Sequence, residues 1–280
     1  MRTRSLASFT ALALAIAGCS NGSALSATAP SSTSARAAKP VVSVSPANIT
    51  IYGAASLSAV LAKAKTRYEA DNPGTVLTIS TDSSSALETK IEQGAPADVF
   101  LSADKANPQK LIDKDLAEGS LVEFAGNLLT VIVPAGNPAG IKTPADLANR
   151  GIKVIAAGDS VPITKYVNQL VANLARQPGY PADFAAEYIA NIVSKQDNVS
   201  AMVAQISLGE GDAAIVYVTD ANPATKVTTV DVPAVANVPA TYAGVVVKGT
   251  PKPDAAKAFL AWLAGPEGQA ILASFGFLSA

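Results

Sequence analysis

Three consecutive serines, Ser83, Ser84 and Ser85, follow the β-branched run "TVLTIS" and open a stretch with helical spacing. One serine is enough to cap a helix, so the trio carries hydroxyls to spare. Ser56, in "IYGAASLSAV", stands at a similar junction and reads as the cap of the first long helix, behind two small residues that let a ligand approach the backbone. Two further strand-to-helix junctions follow. In "VIAAGDSVPITKYV", Gly158 and Pro162 shape a tight turn into a helix beginning near Ile163. In "SKQDNVSAMVAQI", Asp197 or Asn198 caps a helix beginning near Val199, and Tyr217 places a phenol at the end of the apolar strand "AAIVYVTDA". A helix start exposes unpaired N–H groups and carries roughly half a positive charge, so it stabilises an anion without a cationic side chain. Serine hydroxyls and a phenol add donors to oxygen. Taken singly, a serine before a helix is a cap and a strand tyrosine is a core aromatic with a satisfied hydroxyl. Taken together, the pattern describes a cage of neutral donors for an oxyanion, with one serine of the trio capping and another donating outward.

The rest of the composition narrows the chemistry. The chain has 280 residues, 49% hydrophobic and 15% charged, which is enough to bury the core of one large or two smaller globular domains. Its 21 Lys and Arg against 22 Asp and Glu give a net charge of −1, so no basic field draws it to nucleic acid. There is no histidine, which removes the usual general base and the commonest nitrogen ligand, and no free metal cation site is expected. A hydrolase-like enzyme using Ser84 as nucleophile is the alternative of another class. The missing histidine, and the lack of a lysine beside the serines, count against it. Lysines such as Lys90 and Lys165 read as solvated and carry no role.

These residues need a scaffold to bring them together. "NITIYGAASLSAVLAKAKTRYEADNPG" gives a short strand, a helix with Leu57, Val60, Leu61 and Ala64 on one face, and a Pro-Gly stop. "TVLTIS" and "ADVFLSAD" are further strands, and Leu87 and Ile91 mark the helix between them. Strands are predicted at 128–133, 152–156, 213–216 and 242–247. Helices are predicted around 162–175, 198–208, 253–264 and 267–274. Alternation of this kind implies parallel sheets covered by helices on both faces, with ligands in the crevice beyond the carboxyl ends of the strands.

The N-terminus has a different purpose. "MRTRSLASFTALALAIAGCS" has Arg2 and Arg4, an apolar run from Leu6 to Ala17 and small residues before Cys19, the pattern of an export signal over residues 1–18. Ile16-Ala17-Gly18-Cys19 resembles the lipobox of bacterial lipoproteins, which implies cleavage before Cys19 and a lipid on its thiol. Residues 19–47, rich in Ser, Ala, Thr and Pro, read as a flexible tether between that anchor and the body.

Five segments in order, "AASL" (54–57), "SSSALETKIEQGAPADVFLSAD" (83–104), "GDSVP" (158–162), "DNV" (197–199) and "IVYVTDA" (215–221), resemble the molybdate-binding proteins of bacterial molybdate ABC transporters. The likeness runs from about residue 48 to the end, through "GPEGQAILASFGF", and "GAPAD" with the following strand and "SAD" is its most specific part. The resemblance implies an α/β, two-lobed type II periplasmic-binding-protein fold with the ligand in the cleft. Its lobes would be 48–127 plus 237–280, and 128–236. It implies an extracytoplasmic monomer that needs no cofactor, holds molybdate or tungstate, and delivers it to permease subunits. Carried over motif by motif, the oxyanion would be held by the hydroxyls of Ser56 and Ser84, the helix starts at Ile163 and Val199, and the hydroxyl of Tyr217. The alternative ligand is sulfate or another tetrahedral oxyanion. Two positions depart from the family pattern: Ile163 and Thr164 replace a small residue and a glycine, and Asp82 precedes the serines where a small residue is common. A carboxylate near a dianion repels it unless it points away.

Overall fold

The computed structural model describes residues 46–280. The signal, Cys19 and nearly all of the tether lie outside the described residues. The body contains two five-stranded sheets. The first is built from β1 (Asn48–Ala54), β2 (Val76–Asp82), β3 (Val99–Ser102), β4 (Ala117–Asn127) and, much later in the chain, β10 (Ala240–Val247), in the order β2-β1-β3-β10-β4. The second holds β5 (Leu129–Pro134), β6 (Val154–Ala157), β7 (Ile192–Gln196), β8 (Ala213–Tyr217) and β9 (Val227–Val230), in the order β7-β6-β8-β5-β9. This is the two-lobed α/β architecture that the resemblance implies.

The sheets are mixed, which corrects the expectation of parallel sheets. β1 pairs in parallel with β2 and β3, and β6 with β7 and β8. β10 is antiparallel to both β3 and β4, and β5 to both β8 and β9. The chain's path explains this. It leaves the first sheet at Asn127 and returns to it before Ala240, so β5 and β10 each start at a crossing and run away from it. The strands whose carboxyl ends face the cleft run the other way. The two sheets consequently share one order, with the strand that starts at a crossing fourth in each.

Helices cover the sheets: α1 (Ser58–Asp71), α2 (Ser84–Glu92), α3 (Ala106–Asp113), α8 (Pro253–Ala264) and α9 (Pro266–Ser274) belong to the stretches around the first. α4 (Pro162–Leu174), α5 (Phe184–Ala190), α6 (Val199–Leu208) and the single turn α7 (Val218–Ala221) accompany the second. Alternation in β1 buries Ile49 and Ile51 completely, and α1 lays Val60, Leu61, Ala64 and Tyr68 on that sheet. Gly53 makes room for this contact: a Cβ there would sit 2.6 Å from Leu61 Cδ1 and force that side chain to shift. Tyr68 meets Phe259 and Trp262 of α8 edge-on, at ring separations of 5.1 and 5.0 Å.

The "GAPAD" segment earns its specificity structurally. Asp98, 4% exposed, accepts the Thr50 amide at 2.7 Å and the Thr250 hydroxyl, with Lys252 Nζ at 3.6 Å. One carboxylate thereby fastens the start of β1 to the loop after β10, at the end of the sheet remote from the cleft.

Candidate functional site

The serine trio divides its work. Ser83 is extended (φ −60, ψ 143) and caps α2, its Oγ accepting the Ala86 amide at 3.2 Å. Ser85 Oγ lies 3.2 Å from Ser83 Oγ. Ser84, the first residue of α2 and 1% exposed, turns its side chain inward, where Oγ accepts the Ala103 amide at 3.0 Å. A hydroxyl that accepts from a backbone N–H keeps its own hydrogen to donate elsewhere.

Ser56 is not a cap, contrary to the sequence expectation. It lies in a 3-10 turn, Ala55–Leu57, which passes the cap position of α1 to Leu57, where no side-chain cap bond is made. The Ser56 hydroxyl is 2.8 Å from Tyr242 Oη instead.

At α4, Val161 occupies the cap position without a side-chain cap bond and Pro162 opens the helix. Proline has no N–H, so Ile163 carries the first amide of the turn. The Thr164 amide is taken by Val161 O at 3.0 Å and the Thr164 hydroxyl by Gly158 O at 2.8 Å. The Ile163 and Thr164 departures therefore leave the donor at residue 163 in place. At α6, Asn198 is the cap, its Oδ1 accepting the Ala201 amide at 3.0 Å, and Val199 is the first helical residue.

Tyr217 ends β8 at 1% exposure. Its ring packs edge-on against Tyr242 and Tyr166, at 5.7 and 6.4 Å. Its Oη has no hydrogen-bond partner among the described residues. Burial first, then the neighbouring Tyr242, Tyr166, Asp220 and Asp104, push this phenol well above its ordinary range, so it stays a donor.

Ser56, Ser84, Ile163, Val199 and Tyr217 all line one small cavity, whose remaining wall is alanine, Ser83 and Val161. Six of the strands that run toward the cleft feed it: β1 through Ser56, β2 through Ser84, β3 through Ala103, β6 through Ile163, β7 through Val199 and β8 through Tyr217. Among the described residues, no charged side chain lines it. The larger concavity behind α4, lined by Tyr188, Met202 and Ile215 among others, shares Ile163 but none of the hydroxyl donors.

Asp82 stands beside the cavity without lining it. Its Oδ1 accepts the Ser83 amide at 2.8 Å and, across the cleft, Asn198 Nδ2 at 3.3 Å. Its Oδ2 pairs with Lys90 at 3.0 Å, so Lys90 has a partner although sequence assigned it none. Burial raises this carboxyl, but the Lys90 and Ser83 bonds outweigh that and leave it below the usual range. The carboxylate thus stays ionised, paired with Lys90, and joins the two sides of the cleft, as does Ser200 Oγ, 3.4 Å from Ala55 O.

Sequence reasoning missed Tyr242 and Asn127, both 0% exposed behind Ser56. The signal for Tyr242 was the same as for Tyr217, one phenol in an apolar strand, "ATYAGVVV". It also missed Asp220, whose Oδ2 is sealed without a partner among the described residues and whose carboxyl is pushed up to about 8 by burial, against a bond from the Tyr217 backbone. Tyr217 and Tyr242 face the same region and stay protonated, because burial raises both. An unfolded aspartate titrates near ~3.9. Between that value and the folded one the folded chain holds a proton that the unfolded chain has lost, so this group's contribution falls as pH rises. Asp220→Asn cannot titrate and escapes that fall. Its melting temperature relative to the parent should therefore climb from pH 5 to pH 9, and a difference independent of pH would contradict the assignment.

Comparison with known proteins places these features in a family. Residues 49–278 match the family model described as bacterial extracellular solute-binding protein. The molybdate-binding protein ModA of Mycobacterium tuberculosis is 34% identical over 231 residues, 82% of this chain and 84% of that one. Among solved structures, the Azotobacter vinelandii periplasmic molybdate-binding protein superposes with a TM-score of 0.70 at 25% identity, covering 83% of this chain and 99% of that one. The sulfate-binding protein SubI from Mycobacterium tuberculosis shares the fold, with a TM-score of 0.73 at 20% identity, covering 84% and 87%.

Proposed function

The chain belongs to the bacterial extracellular solute-binding protein family, and from that premise we propose that it captures molybdate, and tungstate with it, and delivers the anion to the permease subunits of an ABC importer. The observation that carries this reading is Tyr217 Oη, a buried donor without a partner among the described residues, in the wall of the cavity. Around it stand two hydroxyls whose oxygens already accept bonds or lie within bonding distance of a donor, and helix starts with amides to spare. Such a wall offers hydrogens and no acceptor carboxylate, which suits a fully deprotonated tetrahedral dianion. Its positive potential comes from helix N-termini, each worth roughly half a charge. The ModA relative, named for molybdate, supports that anion over other oxyanions.

Capture would proceed by closure of two lobes, bounded at 48–127 plus 237–280 and at 128–236, about the two crossings. A ligand that binds only the folded chain, at about a hundred times its dissociation constant, adds roughly 2.7 kcal/mol. Molybdate and tungstate should raise the melting temperature of the full chain, while chloride at equal ionic strength should not. A transition unmoved by molybdate, tungstate and sulfate alike would refute an oxyanion site.

The protein would act as a monomer held to the outer face of the membrane through lipidated Cys19, an assignment resting on the charged start, short apolar core and Ile-Ala-Gly-Cys end of the signal. Cys19→Ala should shift the protein from the membrane fraction to the soluble one. Mass spectrometry of an unmodified mature chain starting elsewhere would contradict it.

A further inference from the structure

Behind Ser56 lies a buried chain of hydrogen bonds whose polarity can be assigned. Asn127 ends β4 at the point where the chain leaves the first sheet. Its Oδ1 accepts the Leu128 amide at 3.0 Å, which a backbone N–H can only donate, so the amide orientation is fixed. Nδ2 then donates to Thr219 Oγ1 at 2.7 Å and to Tyr242 Oη at 3.3 Å. Tyr242, 0% exposed, receives that hydrogen, and its own hydrogen has Ser56 Oγ at 2.8 Å. If Ser56 donated instead, the Tyr242 hydrogen would be left in a sealed core. Ser56 is therefore an acceptor on this side, and its hydrogen is released toward the cavity. Ser84 reaches the same state by accepting the Ala103 amide.

We propose that Tyr242, oriented by Asn127, is a positioning residue for the anion site: it commits Ser56 to donate to the ligand and, through the Asn127–Thr219 bond, ties that commitment to the segment that follows Tyr217 on the opposite lobe. The inference rests on the oxyanion reading. Asn127 suits the role because it sits in one crossing, while in the other Asn237 grips the backbone of Leu129 through both side-chain atoms, at 3.0 and 2.8 Å. The two crossings are thereby fastened together, and Asn127 spans the lobes from a fixed point.

The test is a double-mutant cycle on the full chain, read by titration with molybdate. Loss of one ordinary hydrogen bond that orients a donor corresponds to about two- to tenfold in affinity. Tyr242→Phe should weaken molybdate binding by that factor in the parent, yet change it by less than about twofold in a Ser56→Ala background, because its effect passes through Ser56. Asn127→Ala, which removes the donor but leaves Tyr242, should show the same dependence on Ser56. Melting of each unliganded variant separates folding from positioning. Losses that add in full, with Tyr242→Phe as damaging without Ser56 as with it, overturn the positioning role while leaving the oxyanion site intact. A parent chain that binds none of molybdate, tungstate and sulfate overturns the oxyanion reading and this inference with it.

Discussion

Ser84→Ala should weaken molybdate binding by roughly tenfold to a hundredfold and also lower the stability of the unliganded chain. The first effect follows from losing a hydrogen bond to a charged ligand, about 1.5 to 3 kcal/mol. The second comes from the Ala103 amide, which loses its acceptor in a buried place and costs about 1 to 3 kcal/mol. From sequence alone Ser84 looks like a spare hydroxyl, dispensable to the fold; the bond from the Ala103 amide makes it structural as well. Ser83→Ala should behave differently, losing a cap worth about 1 kcal/mol while keeping affinity near the parent value. Measuring dissociation constants and melting temperatures for Ser83, Ser84 and Ser85 variants in turn separates the roles. A Ser84→Ala protein that melts earlier but binds as tightly as the parent would reduce the trio to scaffolding.

Tyr217→Phe should move the two quantities apart. Its hydroxyl has no partner within the described protein, so removing it takes nothing from the unliganded fold and relieves a sealed polar atom. Affinity should fall by roughly tenfold to a hundredfold, again the value of a bond to a charged group. The ring contacts with Tyr166 and Tyr242 persist in phenylalanine, so the melting temperature should hold or rise. Unchanged affinity with a lowered melting temperature would mean that this phenol serves the core.

What the sequence disclosed about this site depended on locality. The junctions at Ser84, Ile163, Val199 and Tyr217 were legible because helix starts and strand ends are written in a few adjacent residues: a serine, a proline, an asparagine, a phenol closing an apolar run. Ser56 does line the cavity, but not as the cap that the sequence suggests, since a 3-10 turn takes over that position, a shift that one residue of local pattern does not encode. The antiparallel β5 and β10 were hidden because direction in a sheet depends on where the chain crosses, not on the strand's own residues. Tyr242 and Asn127 were invisible for a similar reason, since their partners lie 186, 92 and 115 positions away along the chain. The role of Asp82 also depended on distance: its place before the serines implies repulsion of a dianion unless it points away, and Lys90 and, across the cleft, Asn198 give its oxygens partners.

On the proposed function, donors from both lobes enclose one tetrahedral dianion. Isothermal titration of the full chain with molybdate, tungstate and sulfate under identical buffer tests it most directly. The chain should bind one molybdate saturably, competed by tungstate, with sulfate weaker. Absence of saturable binding by all three anions, or sulfate binding more tightly than molybdate, would contradict it.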